Sequence, residues 1–120
     1  MYNMQSKRDI GTLKERLAGD YLKNLGYHIL EYNFRSRFGE IDIIAMDGDT
    51  YVFVEVKYRK DAKAGFPEEA VNITKMRRLI QTVRYYMMLK NISDNTPIRF
   101  DVIAILGNNI KHLKNAFGMI

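Results

Sequence analysis

The sequence predicts an α/β fold in which helices pack on a mixed β-sheet, in the order α-β-β-β-α-β-β. Apolar residues recur at helical spacing over residues 10–25 and 72–90. Between and after these segments the spacing changes to the alternation that is typical of strands. The chain has 120 residues, of which 47% are hydrophobic, so we expect one domain over residues 1–120 with a real core.

The first helix is predicted over residues 10–25, and Gly26 is a natural stop. Its apolar residues fill one broad arc of the helical wheel. They are Ile10, Leu13, Leu17, Ala18, Tyr21, Leu22 and Leu25. We expect this arc to pack on the sheet.

Strands are predicted at 27–34, 40–46 and 51–58, with a hairpin signal at Asp47-Gly48 between the last two. The second helix is predicted over residues 72–90. Its apolar face holds Met76, Leu79, Ile80, Val83, Tyr86 and Met87. Further strands follow at 98–106 and 110–113, and the strand–helix–strand series allows one parallel, right-handed crossover.

The bulk composition favours a polyanionic partner. Lys and Arg number 19 against 14 Asp and Glu, which gives a formal charge of +5. Because the chain has no cysteine, disulfides and Cys-ligated zinc are excluded. A polar start at residues 1–8 and the lack of a long apolar run predict a cytoplasmic protein with no membrane contact.

The strand at 51–57 carries the candidate chemistry. Its alternation places three valines on one side and a carboxylate and an ammonium group on the other. The valine side holds Val52, Val54 and Val56, and the opposite side holds Phe53, Glu55 and Lys57. The valine side is expected in the core, so the charged side faces a site.

The partner strand adds a second carboxylate to that side. Its residues expected on the valine side are Ile41, Ile43 and Ala45. Asp42 then shares a side with Glu55, either diagonally with a two-residue loop at 47–48 or directly with a four-residue loop at 47–50. Both registers bring the two carboxylates within roughly 5–8 Å.

Two close carboxylates repel each other unless a positive group lies between them. Lys57 is one candidate for that group, and a divalent cation suits carboxylate oxygens better. The alternative is an ordinary exposed Glu55–Lys57 ion pair, which contributes little to stability.

These residues resemble the YraN family of nuclease-like proteins, which are similar to archaeal Holliday-junction resolvases of the PD-(D/E)XK superfamily. The resemblance covers nearly the whole chain. Its main segments are 39–45 and 52–59. Further matching segments are Glu15, Tyr21-Leu22, 33–35, 99–102, His112 and 115–117.

The resemblance implies a restriction-endonuclease-like sheet with Asp42 and Glu55 as ligands of Mg²⁺ or Mn²⁺. Lys57 would be the catalytic lysine and Glu15 would lie at the edge of the site. Two residues depart from the pattern. Ile41 stands in place of the superfamily's proline, and Lys14 stands where the family usually has glycine. Lys14 therefore puts in doubt how closely the first helix approaches its neighbours.

Several other residues allow two interpretations. Glu15 also fits a capping box with Thr12, and Gln81 with Tyr85 matches a QxxxY pattern that can arise by coincidence. Asp101 is either a third acid or the buried partner of an arginine. His112 is expected to pack in the core.

Basic residues flank the hairpin and line one side of the second helix. Backbone phosphates are their expected partners, and a tyrosine among them could stack on bases. The candidate nucleic-acid contacts are Arg35, Arg37, Arg59, Arg77, Arg78, Arg84 and Tyr85.

Three functions are compatible with these expectations. The first is a metal-dependent endonuclease acting on DNA, with branched DNA among its substrates and a homodimer expected by analogy with the resolvases. The alternative is a nucleic-acid-binding module that keeps the fold without turnover. A third possibility is an adaptor protein whose basic surface is incidental.

Overall fold

A computed structural model describes residues 7–70 and 72–116. The predicted order of elements is confirmed, with one short 3₁₀ helix added before the second α-helix. The α-helices are α1 (Lys7–Asn24) and α2 (Ile73–Leu89), and the 3₁₀ helix is Pro67–Ala70. The strands are β1 (His28–Ser36), β2 (Gly39–Asp47), β3 (Thr50–Arg59), β4 (Ile98–Leu106) and β5 (Asn109–Leu113). Phe117, part of the resemblance, lies outside the described residues.

The five strands form one mixed sheet in the order β1-β2-β3-β4-β5. β3 and β4 are parallel, and the other neighbouring pairs are antiparallel. The parallel pair requires a crossover, which α2 supplies. None of the described helices is both long and apolar enough to span a membrane.

The two helices cover opposite faces of the sheet. The α1 face buries Ala18, Leu22, Tyr27, Ile43, Ala45, Val52, Val54, Ile103 and Ile105. The α2 face buries Phe34, Ile41, Ile44, Phe53, Leu79, Ile80, Val83, Tyr86, Met87 and Phe100. The predicted alternation of β3 is confirmed, because its valines pack towards α1 while Phe53 packs towards α2.

The predicted apolar arc of α1 is only partly correct. Ala18 and Leu22 are buried, but Leu13 and Leu25 are about half exposed. The cause lies at Gly19, where a Cβ would overlap the hydroxyl group of Tyr32 on β1. Because only glycine permits this approach, α1 lies close to β1 at Gly19, and the arc that it buries is narrower than predicted.

The hairpin between β2 and β3 adopts the register that places Asp42 opposite Glu55. Met46 pairs with Tyr51 and Asp47 pairs with Thr50, so the turn holds residues 48–49. The predicted two-residue loop at 47–48 is therefore wrong by one residue. The strand register is the one predicted with the four-residue loop at 47–50, but one further residue pair forms and leaves only two residues in the turn.

The expected side of Ile41 is wrong. Ile41 packs with Phe34 towards α2, whereas Ile43 packs towards α1. The neighbouring strand turns at the same level, since Asn33 on β1 has φ 55°, a left-handed conformation that Asn tolerates better than most residues. The regular alternation of side chains is therefore interrupted in both strands at Asp42. At this level the side chains change from the α2 face of the sheet to the α1 face.

Candidate active site

The carboxylates lie where the sheet forks. The β2–β3 ladder extends as far as Ile43 opposite Val54. From there β2 continues as the partner of β1, and β3 continues as the partner of β4. The next positions on the two strands are Asp42 and Glu55, so both carboxylates stand at the opening between diverging strands.

An open cleft of about 960 Å³ lies at this fork. It is bounded by the first half of α1 on one side and the beginning of α2 on the other. Its polar lining residues are Lys14, Glu15, Glu40, Asp42, Glu55, Lys57, Asn72, Thr74, Lys75 and Arg78. The sequence therefore brings acidic and basic side chains from four elements to one solvent-accessible site.

Glu55 is buried, with only 4% of its surface exposed, and two lysines contact it. Its Oε2 atom lies 3.1 Å from Nζ of Lys57 and 2.8 Å from Nζ of Lys75. Asn72 caps α2 by accepting a hydrogen bond from the backbone N–H of Lys75. The cap thus fixes the turn of α2 from which Lys75 reaches β3.

The two lysines differ in their electrostatic surroundings. Burial lowers the pKa of Lys57, and Lys75 beside it lowers it further. Burial also opposes the charge of Lys75, but hydrogen bonds with Glu55 and Lys57 outweigh it and raise the pKa of that amine. Lys57 is therefore the lysine whose proton is held less firmly.

Asp42 is the most strongly perturbed acid of the cleft. Burial and then the charge of Glu55 raise the pKa of Asp42 to about 9. A hydrogen bond of 2.8 Å, which Asp42 Oδ2 accepts from the backbone N–H of Val56, opposes this shift. Without a cation, Asp42 is therefore protonated at neutral pH.

Asp42 also belongs to a second acidic group, with Glu15 from α1 and Glu40 from β2. Carboxylate oxygens of the three residues lie within 4.8 Å of one another. Burial raises the pKa of Glu15, and the charge of Glu40 adds to the effect. The capping-box interpretation of Glu15 is wrong, because α1 begins at Lys7 and Glu15 lies inside the helix.

These carboxylates match the chemistry of a divalent cation site. Hard cations such as Mg²⁺ take oxygen ligands and retain several waters, which an open cleft can accommodate. Asp42 is common to both arrangements, with Glu55 across the fork or with Glu15 and Glu40 beside it. Either arrangement would relieve the repulsion that raises the pKa of Asp42.

Comparison with known proteins assigns the chain to a family. Residues 14–105 match the model of the uncharacterised protein family UPF0102. The chain belongs to that family. A UPF0102 protein of Lachnoclostridium phytofermentans is 47% identical, over 93% of this chain and 95% of its own. Another, from Persephonella marina, is 50% identical over 91% of this chain and 93% of its own.

In this UPF0102 chain the predicted nucleic-acid contacts occupy four places. Arg78 lines the cleft, and Arg77 is exposed one position before it on α2. Arg84 and Tyr85 lie further along α2, beside Arg37 of the β1–β2 turn. The remaining two are Arg59 at the end of β3 and Arg35, whose Nε donates to Glu40 at 2.6 Å.

The sequence left open whether Asp101 is a third acid of the site or the partner of an arginine. In the structure it is the buried partner of an arginine. Arg99 donates to both of its carboxylate oxygens, at 2.9 and 3.0 Å. His112 Nε2 lies 2.7 Å from Asp101 Oδ2, and the backbone N–H of Asn115 donates to Oδ1. The predicted packing role of His112 agrees with its edge-on ring contacts with two tyrosines of the α1 face.

Sequence reasoning missed two residues of the cleft as participants, Lys75 and Glu40. Lys75 is separated from Glu55 by a loop and a helix turn, and no local spacing connects them. Glu40 offered a signal, since it alternates with Asp42 along β2. Its place in the acidic group with Glu15 depends on how α1 crosses the sheet.

Proposed function

We propose that the chain is a metal-dependent endonuclease that hydrolyses phosphodiester bonds in DNA, including branched DNA. The observation that carries this proposal is the meeting of Asp42, Glu55, Lys57 and Lys75 at the fork of the sheet. Two carboxylates beside two ammonium groups in an open cleft can hold both a cation and a phosphate. The resemblance to PD-(D/E)XK nucleases supports the same assignment.

The cation would be Mg²⁺ or Mn²⁺, held by Asp42 together with Glu55 or with Glu15 and Glu40. When bound, it supplies a Lewis acid for a phosphate oxygen and lowers the pKa of water. The protein's own contribution is to fix the carboxylates on two diverging strands, so that their spacing does not depend on mobile loops.

Lys57 and Lys75 supply positive charge beside Oε2 of Glu55. Both ammonium groups lie in the cleft, where they can donate hydrogen bonds to the attacked phosphate or to the attacking water. Arg78 at the cleft wall and the N-terminal end of α2 favour the same anion. Attack by water in line with the leaving oxygen then needs no covalent intermediate.

The alternative is a nucleic-acid-binding module without turnover. One observation favours it: Glu55 already has two lysine partners, so its charge is matched without a cation. The basic composition suits such a module equally well. In both cases we place the protein in the cytoplasm.

A cleavage assay tests the proposal. Linear, flapped and four-way DNA are incubated with the protein in Mg²⁺ or Mn²⁺, with EDTA as the blank. We expect cation-dependent cleavage that Glu55→Gln abolishes, whereas Glu69→Gln, a change outside the cleft, leaves it intact. Salt-dependent DNA binding without cleavage on any substrate would select the binding module.

Lys57 distinguishes the two functions most sharply. We expect Lys57→Ala to lower single-turnover cleavage by a factor on the order of 10² or more while changing the affinity for uncut DNA far less. A simple phosphate contact would instead weaken binding and reduce the salt slope by about one. Affinity is measured in Ca²⁺, and equal cleavage by mutant and wild type would remove the catalytic role of Lys57.

A further inference from the structure

A second groove lies beside the carboxylate cleft, between α2 and the β1–β2 turn. We call it the aromatic groove. Its volume is about 650 Å³, within the range of about 300–1,000 Å³ that is typical of ligand clefts. It is lined by Arg37, Phe38, Gln81, Arg84, Tyr85 and Met88.

We propose that the aromatic groove binds unpaired nucleotides of the DNA strand whose phosphate occupies the carboxylate cleft. The occupant is therefore single-stranded DNA, such as the unpaired arm of a branched substrate. This inference rests on the proposed function, because it extends the same strand from the cleft into the groove.

Phe38 is the first observation that supports the proposal. It lies at the tip of a two-residue turn, between Ser36 and Gly39, where Gly, Asn, Asp, Ser and Pro are the usual residues. Its ring meets the ring of Tyr85 at 6.2 Å and 63°, and the Arg37 guanidinium lies 4.9 Å from its centroid. An aromatic residue in this position forms a platform on which a base can stack.

The charge of the groove is the second observation. Among the described residues that line it, two are arginines and none is a carboxylate. Arg37 and Arg84 are both exposed. Aromatic rings between exposed cations are the combination with which proteins bind single strands without reading their sequence.

The position of the groove is the third observation. Gly39 and Arg78 both line the carboxylate cleft, and Gly39 follows Phe38 directly. A Cβ on Gly39 would lie 3.3 Å from Oγ1 of Thr82 and 3.7 Å from Cβ of Arg78. The turn therefore packs closely on α2, and the cleft and the groove adjoin at this contact.

The spacing fits a single strand. Lys75 and Tyr85 are ten residues apart on α2, which corresponds to about 15 Å of helix. A stacked strand advances about 3.4 Å per nucleotide, so about four nucleotides cover this distance. A strand cut at the carboxylate cleft would thus place a base near Tyr85 about four nucleotides away.

Binding measurements test the inference with matched variants. Wild type, Phe38→Ala and Phe66→Ala are titrated with a short single-stranded oligonucleotide and with a duplex of the same length in Ca²⁺. Phe66 is an exposed aromatic residue outside the groove. We expect Phe38→Ala to weaken single-strand binding by about tenfold, with the salt slope unchanged, because stacking and not charge is lost.

A fluorescence reporter gives a second test. The chain has no tryptophan, so the Phe38→Trp variant carries a single indole in the groove and keeps the stacking surface. We expect this variant to bind the single strand as wild type does, and its fluorescence to be quenched by the single strand but not by the duplex. The inference would be overturned if Phe38→Ala bound the single strand as tightly as wild type. It would also be overturned if the fluorescence of Phe38→Trp stayed unquenched with the single strand bound.

Other occupants predict different results. If a second copy of the chain covered the groove, Phe38→Ala would abolish concentration-dependent self-association and leave oligonucleotide affinity unchanged, which contradicts the proposal. Failure of the two proposals can be distinguished. If Phe38→Ala leaves the ratio of flap cleavage to duplex cleavage unchanged, the groove proposal alone is refuted. If the single strand quenches the fluorescence of Phe38→Trp but no DNA is cleaved, the endonuclease proposal alone is refuted.

Discussion

Two acidic centres of this protein, at Asp101 and at Asp42, are built on opposite electrostatic principles. Asp101 is 1% exposed and accepts hydrogen bonds from Arg99 and a backbone N–H, with His112 at its second oxygen. Burial acts to raise the pKa of Asp101, but these contacts prevail and lower it. Asp42 accepts from the backbone N–H of Val56 but lies beside the carboxyl groups of Glu15, Glu40 and Glu55, and its pKa is raised to about 9.

The difference separates a structural polar group from a candidate functional one. The protein surrounds Asp101 with enough donors to keep its charge stable in the core. It leaves Asp42 beside like charges, which lowers stability in the absence of a ligand. Such an arrangement persists where a bound cation or substrate supplies the missing charge.

The largest effect on stability is expected at Asp101, the acid that has several hydrogen-bond donors. Asp101→Ala leaves the guanidinium of Arg99 without its principal partner, although Asp47 still accepts from it. We expect the free energy of unfolding to fall by about 3–5 kcal/mol, as when one member of a buried ion pair is removed. Chemical denaturation measures the loss, with exposed Asp94→Asn as the control. A loss below about 1 kcal/mol would contradict the comparison.

The pH dependence of this centre has a defined sign. Because the pKa of Asp101 is lowered in the folded state, its stabilising contribution is present above the ordinary pKa of an aspartate. It disappears as the pH falls through the lowered pKa of the folded protein. Asp101→Ala should therefore differ most from wild type near neutral pH and least in strong acid.

The pH dependence of stability is expected to have the opposite sign at Asp42 in the cleft. Asp42→Asn removes a carboxyl group that the folded protein keeps protonated, so in EDTA we expect a gain in stability of about 1–2 kcal/mol at neutral pH. The contribution of Asp42 to wild-type stability decreases as the pH rises from about 4 towards about 9, because only the folded state retains this proton. The gain should therefore increase over the same range. A variant less stable than wild type at every pH would show that Asp42 is structural.

Metal binding should reduce the difference in stability between Asp42→Asn and wild type. Millimolar Mn²⁺ or Mg²⁺ should stabilise wild type by about 1 kcal/mol, which corresponds to a rise in Tm of roughly 3–6 °C. Asp42→Asn should abolish the rise, and Asp94→Asn should keep it. Comparing Glu55→Gln with Glu40→Gln then decides which carboxylate is the second ligand. A wild-type Tm that does not respond to either ion would rule out a preformed site.

The smallest effect is expected at the rim of the cleft. Arg35 and Glu40 form an exposed ion pair, so Arg35→Gln should change the free energy of unfolding by about 0–1 kcal/mol. If Arg35 contacts a phosphate, the same change should reduce the salt slope of DNA binding by about one. Titrations at several salt concentrations measure both quantities, and an unchanged slope would exclude Arg35 from the interface.

Local periodicity was sufficient to predict the element order and to place Asp42 and Glu55 as direct or diagonal neighbours on adjacent strands. A strand alternates with period two, so Glu55 and Lys57 must share a side, and burial of the opposite side restricts the register of the partner strand. The same rule failed at Ile41, because Asn33 on the neighbouring strand turns the backbone into the left-handed region. Alternation holds only where the strand is regular.

The tertiary structure alone decided which distant residues complete the site. Lys75, Glu15 and Glu40 reach the fork because α1 crosses the sheet at Gly19 and α2 begins beside β3. The meeting of Phe38 with Tyr85 depends likewise on how closely the β1–β2 turn packs on α2. Sequence spacing determines contacts within one element or hairpin. Contacts between elements depend on crossing angles and close approaches that many residues determine together.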